Sequence, residues 1–162
     1  MTTSGMVHED AVMVTGTGTG AGRRRGLRAG LWVAQGLLAV AFGFAGLTHA
    51  TRPIEEIAKI AAWAGAVPDG LVRFIGVAEL AGALGLLLPA LTRRKPVLTA
   101  WAATGLLVVM ALAGVVHVAR GELQALPVNF VLGGVAAFIA WGRFRGARIA
   151  PRAPRGMKGP RT

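Results

Sequence analysis

A single carboxylate stands inside an apolar run, and it is the residue with the clearest chemical potential. Glu79 is the only charged residue in positions 74–91. If this run crosses a membrane, a carboxylate there costs about 2.5–3.5 kcal/mol on insertion scales, so it should face the bundle interior and have a partner. Gly76, Gly82 and Ala83 lie three or four residues away, and small residues let another helix approach closely. We therefore expect Glu79 on a helix-packing face.

Three further hydrogen-bonding residues are expected at a similar depth, one from each of three other apolar runs. His49 ends the first run, His117 ends the third, and Asn129 stands near the start of the fourth. Together with Glu79 they predict a polar pocket in the outer half of the bundle. A carboxylic acid kept neutral by desolvation can donate to a carbonyl, and histidine titrates near neutral pH. Such a pocket suits a proton-coupled lipophilic ligand, and a bound quinone is the candidate cofactor.

Plainer alternatives stay open for the same four residues. Glu79 could simply bridge two helices, and Asn129 could join helices by a hydrogen bond. His49 and His117 could be interfacial residues in contact with water. Two histidines can also ligate haem, but these two stand on different runs near the membrane surface and no supporting motif accompanies them. We therefore predict no metal site, and packing and ligand binding are left as alternatives.

The residue types present exclude several kinds of enzyme. The chain has no Cys, which excludes a disulfide scaffold, a zinc–thiolate site and a thiol nucleophile. No Ser/His/Asp arrangement is found, and the apolar runs hold no paired carboxylates. We predict no catalytic residue and no catalytic activity of the chain's own. Any redox role would need electrons carried by a bound quinone or by a partner's cofactor.

Four long runs nearly free of charge dominate the 162 residues, of which 54% are hydrophobic and 15% charged. A membrane-spanning helix needs about 20 mostly apolar residues, because the hydrocarbon core is about 30 Å thick and a helix rises about 1.5 Å per residue. The runs are too long for strands and lack period-two alternation. Pro127 suits the first turn of the fourth helix. The sequence predicts an all-α, four-helix transmembrane bundle with spans at about residues 29–49, 71–91, 97–117 and 126–142.

The surplus of basic residues predicts the orientation. Lys and Arg number 18 against 7 Asp and Glu, a net charge of +11. Most of the basic residues lie before the first span, between the second and third, and after the fourth, and the positive-inside rule places those segments in the cytoplasm. We therefore predict a multi-pass plasma-membrane protein with both termini cytoplasmic and no nucleic-acid partner. The acids of the outer loops and the tryptophans of the cytoplasmic interface agree with this, namely Glu55, Glu56, Asp69 and Glu122, and Trp32, Trp101 and Trp141.

The segments outside the spans are predicted to be two basic tails and one structured loop. Residues 1–27 and 146–162 are expected to be disordered, which leaves residues 28–145 as the membrane domain. The loop after the first span predicts a short amphipathic helix on the outer membrane surface, with a Glu55–Lys59 pair. We expect Trp63 at the headgroup level and Arg73 reaching to the outer headgroups. The apolar face of the short helix would contain Ile54, Ile57, Ile60, Ala61 and Ala64.

Four segments resemble a known family of membrane proteins, the DoxX family. Residues 76–89, GVAELAGALGLLLP, are similar to that family's Gly-x-x-Glu-Leu segment in the second span and are the most specific part. Residues 42–49, FGFAGLTH, look like the family's ending of span one, with His49 where many relatives carry Lys. Residues 110–117, MALAGVVH, are similar to its third span, and Trp141-Gly142-Arg143 followed by Ala150-Pro151 looks like its C-terminal end. The resemblance covers about residues 28–151.

The resemblance implies a four-helix membrane bundle and a role beside redox enzymes. Some members are small subunits of thiosulfate:quinone oxidoreductases, and others join membrane complexes with soluble sulfur-handling or superoxide-detoxifying enzymes. We therefore expect a non-catalytic membrane subunit or anchor, associated with a quinone-linked redox complex. The alternative is a small protein that binds or transports a lipophilic ligand in the pocket around Glu79. The expected partners are the lipid bilayer and soluble or membrane-bound redox proteins.

Overall fold

The computed structural model describes residues 18–152, and every regular element within them is helical. Four helices are long and apolar enough to cross a bilayer, which confirms the predicted all-α, four-helix transmembrane fold. In chain order the elements are α1 (Gly18–Thr51), α2 (Ile54–Ile60), a 3-10 turn (Ala62–Ala66), α3 (Asp69–Thr92), α4 (Val97–Ala119), a second 3-10 turn (Leu123–Ala125), α5 (Leu126–Trp141) and a π-helical turn (Gly142–Gly146).

Most helix boundaries lie close to the predicted ones, and prolines mark three of them. Pro68 and Pro96 directly precede α3 and α4, and Pro127 stands in the first turn of α5. A proline has a fixed φ and no N–H, which suits a helix start. α1 differs, because residues 18–27, predicted above as part of a disordered tail, are helical. No proline interrupts this stretch, and its arginines are good helix formers. Of the other predicted tail, residues 146–152 are described and are held against the α3–α4 turn by hydrogen bonds. Residues 1–17 and 153–162 lie outside the described residues.

The four long helices form a ring in the order α1, α3, α4 and α5, closed by contacts between α1 and α5. The outward faces are as apolar as the core, since Val40, Phe44 and Phe130 are each more than 70% exposed. Helices that are apolar all round are typical of a bundle surrounded by lipid. The chain is therefore an integral membrane protein. The largest side chains of the shared core are Leu38, Phe42, Leu86, Leu106 and Ile139.

The backbones of α1 and α3 touch where two glycines face each other. A Cβ atom on Gly46 would lie 2.7 Å from the carbonyl oxygen of Gly76, and one on Gly76 would lie 2.6 Å from the amide nitrogen of Ala50. These distances leave no room for a side chain, so both positions require glycine. His49 and Glu79 each follow one of these glycines by three residues. The crossing therefore brings their side chains together.

The connection between α1 and α3 covers one end of the bundle, here called the His49 end. α2 is amphipathic as predicted, but Ile60, its last residue, points outward and is 78% exposed. Glu55 and Lys59, both among the described residues, do not form the predicted ion pair. Glu56 pairs with Arg52 instead at 3.6 Å. The connection folds back on the start of α3 through a small apolar cluster of Ile57, Ala64 and Val72.

At the opposite end, here called the Arg143 end, the chain leaves α5 through the π-helical turn and continues without regular structure to residue 152. The Ala147 amide donates to the Gly142 carbonyl at 2.7 Å and closes the turn. The Arg152 amide donates to the carbonyl of Arg93 at 3.0 Å, and the Arg93 side chain donates to the Ala150 carbonyl at 3.2 Å. This segment therefore lies against the turn between α3 and α4.

Candidate functional site

His49 and Glu79 form a buried hydrogen-bonded pair between α1 and α3. The Nδ1 atom of His49 lies 2.7 Å from Oε2 of Glu79, and the two side chains are 14% and 5% exposed. A contact this short requires one proton between the two atoms, carried by the imidazole or by the carboxyl group. The pair can therefore hold a proton in a part of the bundle that solvent hardly reaches. Glu79 does lie on a packing face, and its partner is His49.

Two residues of the His49 end contact His49 from other sides, one at its ring and one at its backbone. Trp63 meets His49 edge to face, with ring centroids 5.4 Å apart. Arg73 donates through Nη1 to the backbone carbonyl of His49 at 2.8 Å. Both residues therefore contact His49, and their position at the level of the outer headgroups stays a prediction. The last turns of α1, which carry His49, are therefore held by α3 and by the connection between α1 and α3.

His117 belongs to a different group of polar residues. Its Nδ1 atom lies 2.8 Å from Oε2 of Glu122, whose other oxygen accepts a hydrogen bond from Nε of Arg120 at 2.7 Å. Gly121 takes a positive φ of 70° and turns the chain back, so that the Glu122 amide donates to the His117 carbonyl at 2.9 Å. The hydrogen bonds from Arg120 and then His117 hold the pKa of Glu122 below its usual value. This group therefore closes the loop between α4 and α5.

Asn129 lies in a third place, on a groove between α4 and α5. The groove has a volume of about 710 Å³ and an almost wholly apolar lining. The Asn129 Nδ2 atom is buried and has no hydrogen-bond partner among the described residues. A buried polar group without a partner costs about 1–3 kcal/mol, so this amide is the polar feature that needs an explanation. The lining residues include Met110, Gly114, Phe130, Gly133 and Gly134.

The four predicted site residues therefore do not line one pocket. His49 and Glu79 meet between α1 and α3, His117 bonds to Glu122 in a loop, and Asn129 alone of the four lines the groove. Position along a span predicts the depth of a side chain but not its direction around the helix axis. The ring order places the α1–α3 contact and the α4–α5 contact on different sides of the bundle. Depth alone therefore could not predict which residues meet.

Sequence reasoning missed a second buried polar group, which joins α1, α3 and the π-helical turn. Nε of Arg143 donates to Oε1 of Gln35 at 2.6 Å, and Nε2 of Gln35 donates to the Leu86 carbonyl at 2.7 Å. The Arg143 guanidinium also lies over the Trp32 ring, 5.3 Å from its centroid. The available signal was Gln35, the one strongly polar side chain in the first run. Arg143 itself is hidden among the many arginines that set the orientation.

Within residues 18–152 no three His, Asp or Glu side chains come together as metal ligands would. A sequence model of the DoxX-like family matches residues 33–139. No curated protein and no solved structure matches the chain. The matched range includes His49, Glu79, His117 and Asn129, and it confirms the resemblance read from the sequence.

Proposed function

The chain belongs to the DoxX-like family, and on that premise we propose that it is a non-catalytic membrane subunit that binds a lipophilic, carbonyl-bearing ligand such as a quinone. The observation that carries this proposal is the groove between α4 and α5, with the unpartnered amide of Asn129 on its wall. The proposal includes association with a redox complex that uses the ligand, and the family resemblance supports this part.

The groove has the size and chemistry of a small-molecule site. Ligand sites are mostly apolar clefts of about 300–1,000 Å³ with a few polar groups that fix the ligand's orientation. Here the volume is about 710 Å³, and Asn129 supplies the polar group. A half-turn of the amide exchanges its oxygen and nitrogen, so Asn129 can donate to a ligand carbonyl or accept from a ligand hydroxyl. A quinone presents carbonyl groups and its reduced form presents hydroxyl groups, so the one amide can bind both forms.

The groove also suggests how the ligand lies. Asn129 stands in the first turn of α5, and the lining continues along the helix to Ala137. Eight residues of helix correspond to about 12 Å. The head of the ligand would lie at Asn129, near the His49 end, and its apolar tail would run toward the middle of the bundle. Gly114 opens the wall opposite the amide, since a Cβ there would lie 4.0 Å from Nδ2.

We also propose the orientation and location. The described acidic residues belong to elements of the His49 end, and Trp32, Trp101 and Trp141 belong to the Arg143 end. The positive-inside rule favours a cytoplasmic Arg143 end in the plasma membrane, and these three tryptophans fit a membrane interface at that end without indicating its side. The head of the ligand would then lie in the outer half of the bilayer.

The experiment compares two glycine substitutions that differ only in their place. Gly134 lines the groove and Gly105 does not, and a Cβ at either position meets no atom within 4 Å. Gly134→Leu should fill the groove and remove a quinone that co-purifies in mild detergent, whereas Gly105→Leu should retain it. Asn129→Leu should lower retention by about tenfold, the effect of losing a hydrogen bond and restoring none.

The same purification separates this proposal from its rivals. Retention in Gly134→Leu with loss in Glu79→Gln would contradict the groove and support a ligand near Glu79. Lipid acyl chains as the only bound molecules, unchanged by Asn129→Leu, would contradict ligand binding altogether. The subunit role is measured by chemical crosslinking in the native membrane, where a redox protein should be captured by the wild type. Capture of no such protein would contradict it.

A further inference from the structure

The Arg143 end holds a buried positive charge whose hydrogen bonds are incomplete. Arg143 is 6% exposed. Its Nε donates to Gln35 and its Nη1 donates to the Ala147 carbonyl at 3.2 Å. Its Nη2 is buried as well and has no acceptor among the described residues. A guanidinium keeps its proton in proteins, so both hydrogens of Nη2 need an acceptor that the described chain does not supply.

No described carboxylate neutralises this charge. The acids of residues 18–152 lie in elements of the His49 end, and Arg28 adds a second positive charge near Arg143. A buried charge without a charged partner is costly, and neutral carbonyls compensate it only in part. The five described acids are Glu55, Glu56, Asp69, Glu79 and Glu122.

We propose that the Arg143 end contains an oxyanion site, in which Nη2 of Arg143 donates to a phosphate oxygen. Arg143 would be held in place by Gln35 and by the face of Trp32, and Arg28 would supply the second positive charge. Arginine is suited to phosphate because its planar group offers several donors in a fixed geometry. The phosphate belongs either to the headgroup of an anionic lipid or to a free anion, and basic pockets at the cytoplasmic surface are typical sites for the former.

In this proposal the anion reaches Nη2 when the segment that follows the π-helical turn moves aside. The element beside Arg143 is the irregular segment that follows the π-helical turn, and Ala147 within it accepts the Nη1 hydrogen bond. Two hydrogen bonds to Arg93 hold the segment against the α3–α4 turn. Such a segment can shift without breaking a helix. Arg143 itself stays fixed, since its bond to Gln35 connects it to α1.

The test uses the full chain and two arginines that differ in burial. Arg143→Gln and Arg145→Gln remove the same charge two residues apart, but Arg145 is exposed. Each protein is placed in vesicles of phosphatidylcholine, with or without phosphatidylglycerol, and retained lipid is counted by native mass spectrometry. The wild type should retain phosphatidylglycerol in preference to phosphatidylcholine. Arg143→Gln should lose this retention by about tenfold, the size expected for one charge-assisted hydrogen bond, and Arg145→Gln should keep it within about twofold.

Further measurements identify the anion and control for variants that fail to fold. Arg143→Lys keeps the charge but lacks the planar fork, so it should fold and retain less lipid than the wild type. Inorganic phosphate added to phosphatidylcholine vesicles should raise the Tm of the wild type, and not of Arg143→Gln, if the site takes a free anion. Equal losses in Arg143→Gln and Arg145→Gln would overturn the proposal. A gain of phosphatidylglycerol retention in the double variant Glu9→Gln/Asp10→Asn would also overturn it, because those carboxylates would then be the anion that occupies the site.

Discussion

Removal of the His49–Glu79 pair should reveal a strong coupling between the two residues. The perturbation is a double-mutant cycle with His49→Ala, Glu79→Ala and the double variant. The pair is almost completely buried and its atoms are 2.7 Å apart, and a hydrogen bond with a charged partner contributes about 1.5–3 kcal/mol. We therefore expect a coupling energy of about 1.5–3 kcal/mol, the contribution of this one hydrogen bond.

The assay is equilibrium unfolding in mixed detergent micelles, followed by helical circular dichroism as the denaturing detergent increases. The free energies of unfolding of the four proteins give the coupling energy directly, because the cavities left by alanine cancel in the cycle. The matched control is the cycle for His117 and Glu122, a pair of similar length at the end of α4, where we expect a smaller coupling because Glu122 also accepts from Arg120. A value below about 0.5 kcal/mol for His49 and Glu79, the usual limit of additivity, would refute the role assigned to the pair.

Three other predictions concern the α1–α3 crossing, the loop between α4 and α5, and the Arg143 end. Gly46→Ala should lower the free energy of unfolding by about 1–3 kcal/mol through overpacking, whereas Gly43→Ala should change it little, because a Cβ there meets Ala83 only at 3.9 Å. Both free energies are measured by detergent-induced unfolding. Equal effects of the two substitutions would contradict the backbone contact. The folded-state pKa of Glu122 lies below its usual 4.5. The Tm of the wild type should therefore exceed that of Glu122→Gln above pH 4.5, and this difference should be lost as the pH falls through the folded-state pKa. A difference in Tm that grows as the pH falls would contradict the lowered pKa. Gln35→Leu should destabilise the bundle by about 2–4 kcal/mol, because two buried hydrogen bonds lose their partner, and a change under about 0.5 kcal/mol in the same unfolding assay would contradict that network.

The fold was predictable because its cause is local and repeated. Each span is a stretch of sequence whose apolar length alone fits the bilayer, so no knowledge of neighbours is needed. Prolines mark the starts of three helices for an equally local reason. The early start of α1 escaped prediction because the charge of residues such as Arg23 and Arg24 argues for water contact, which is compatible with either a helix or a coil.

The site was less predictable because it depends on rotation and on distant partners. The small residues around Glu79 correctly indicated a packing face. They could not indicate that α1 supplies the partner, which follows from the contact of Gly46 with Gly76. Gln35 and Arg143 are 108 residues apart in the chain, and no local pattern connects them. Asn129 was recognised by type, but the groove beside it exists only once α4 and α5 have packed.

Photolabelling tests the central claim most directly, namely that the ligand binds between α4 and α5. The full chain in vesicles is labelled with a photoreactive quinone, digested and sequenced by mass spectrometry. The label should lie on the facing segments of α4 and α5, around Gly114 and Asn129. Gly134→Leu should abolish this labelling, whereas Gly105→Leu should not. Labels on α1 and α3 around His49 and Glu79, unchanged by Gly134→Leu, would contradict it.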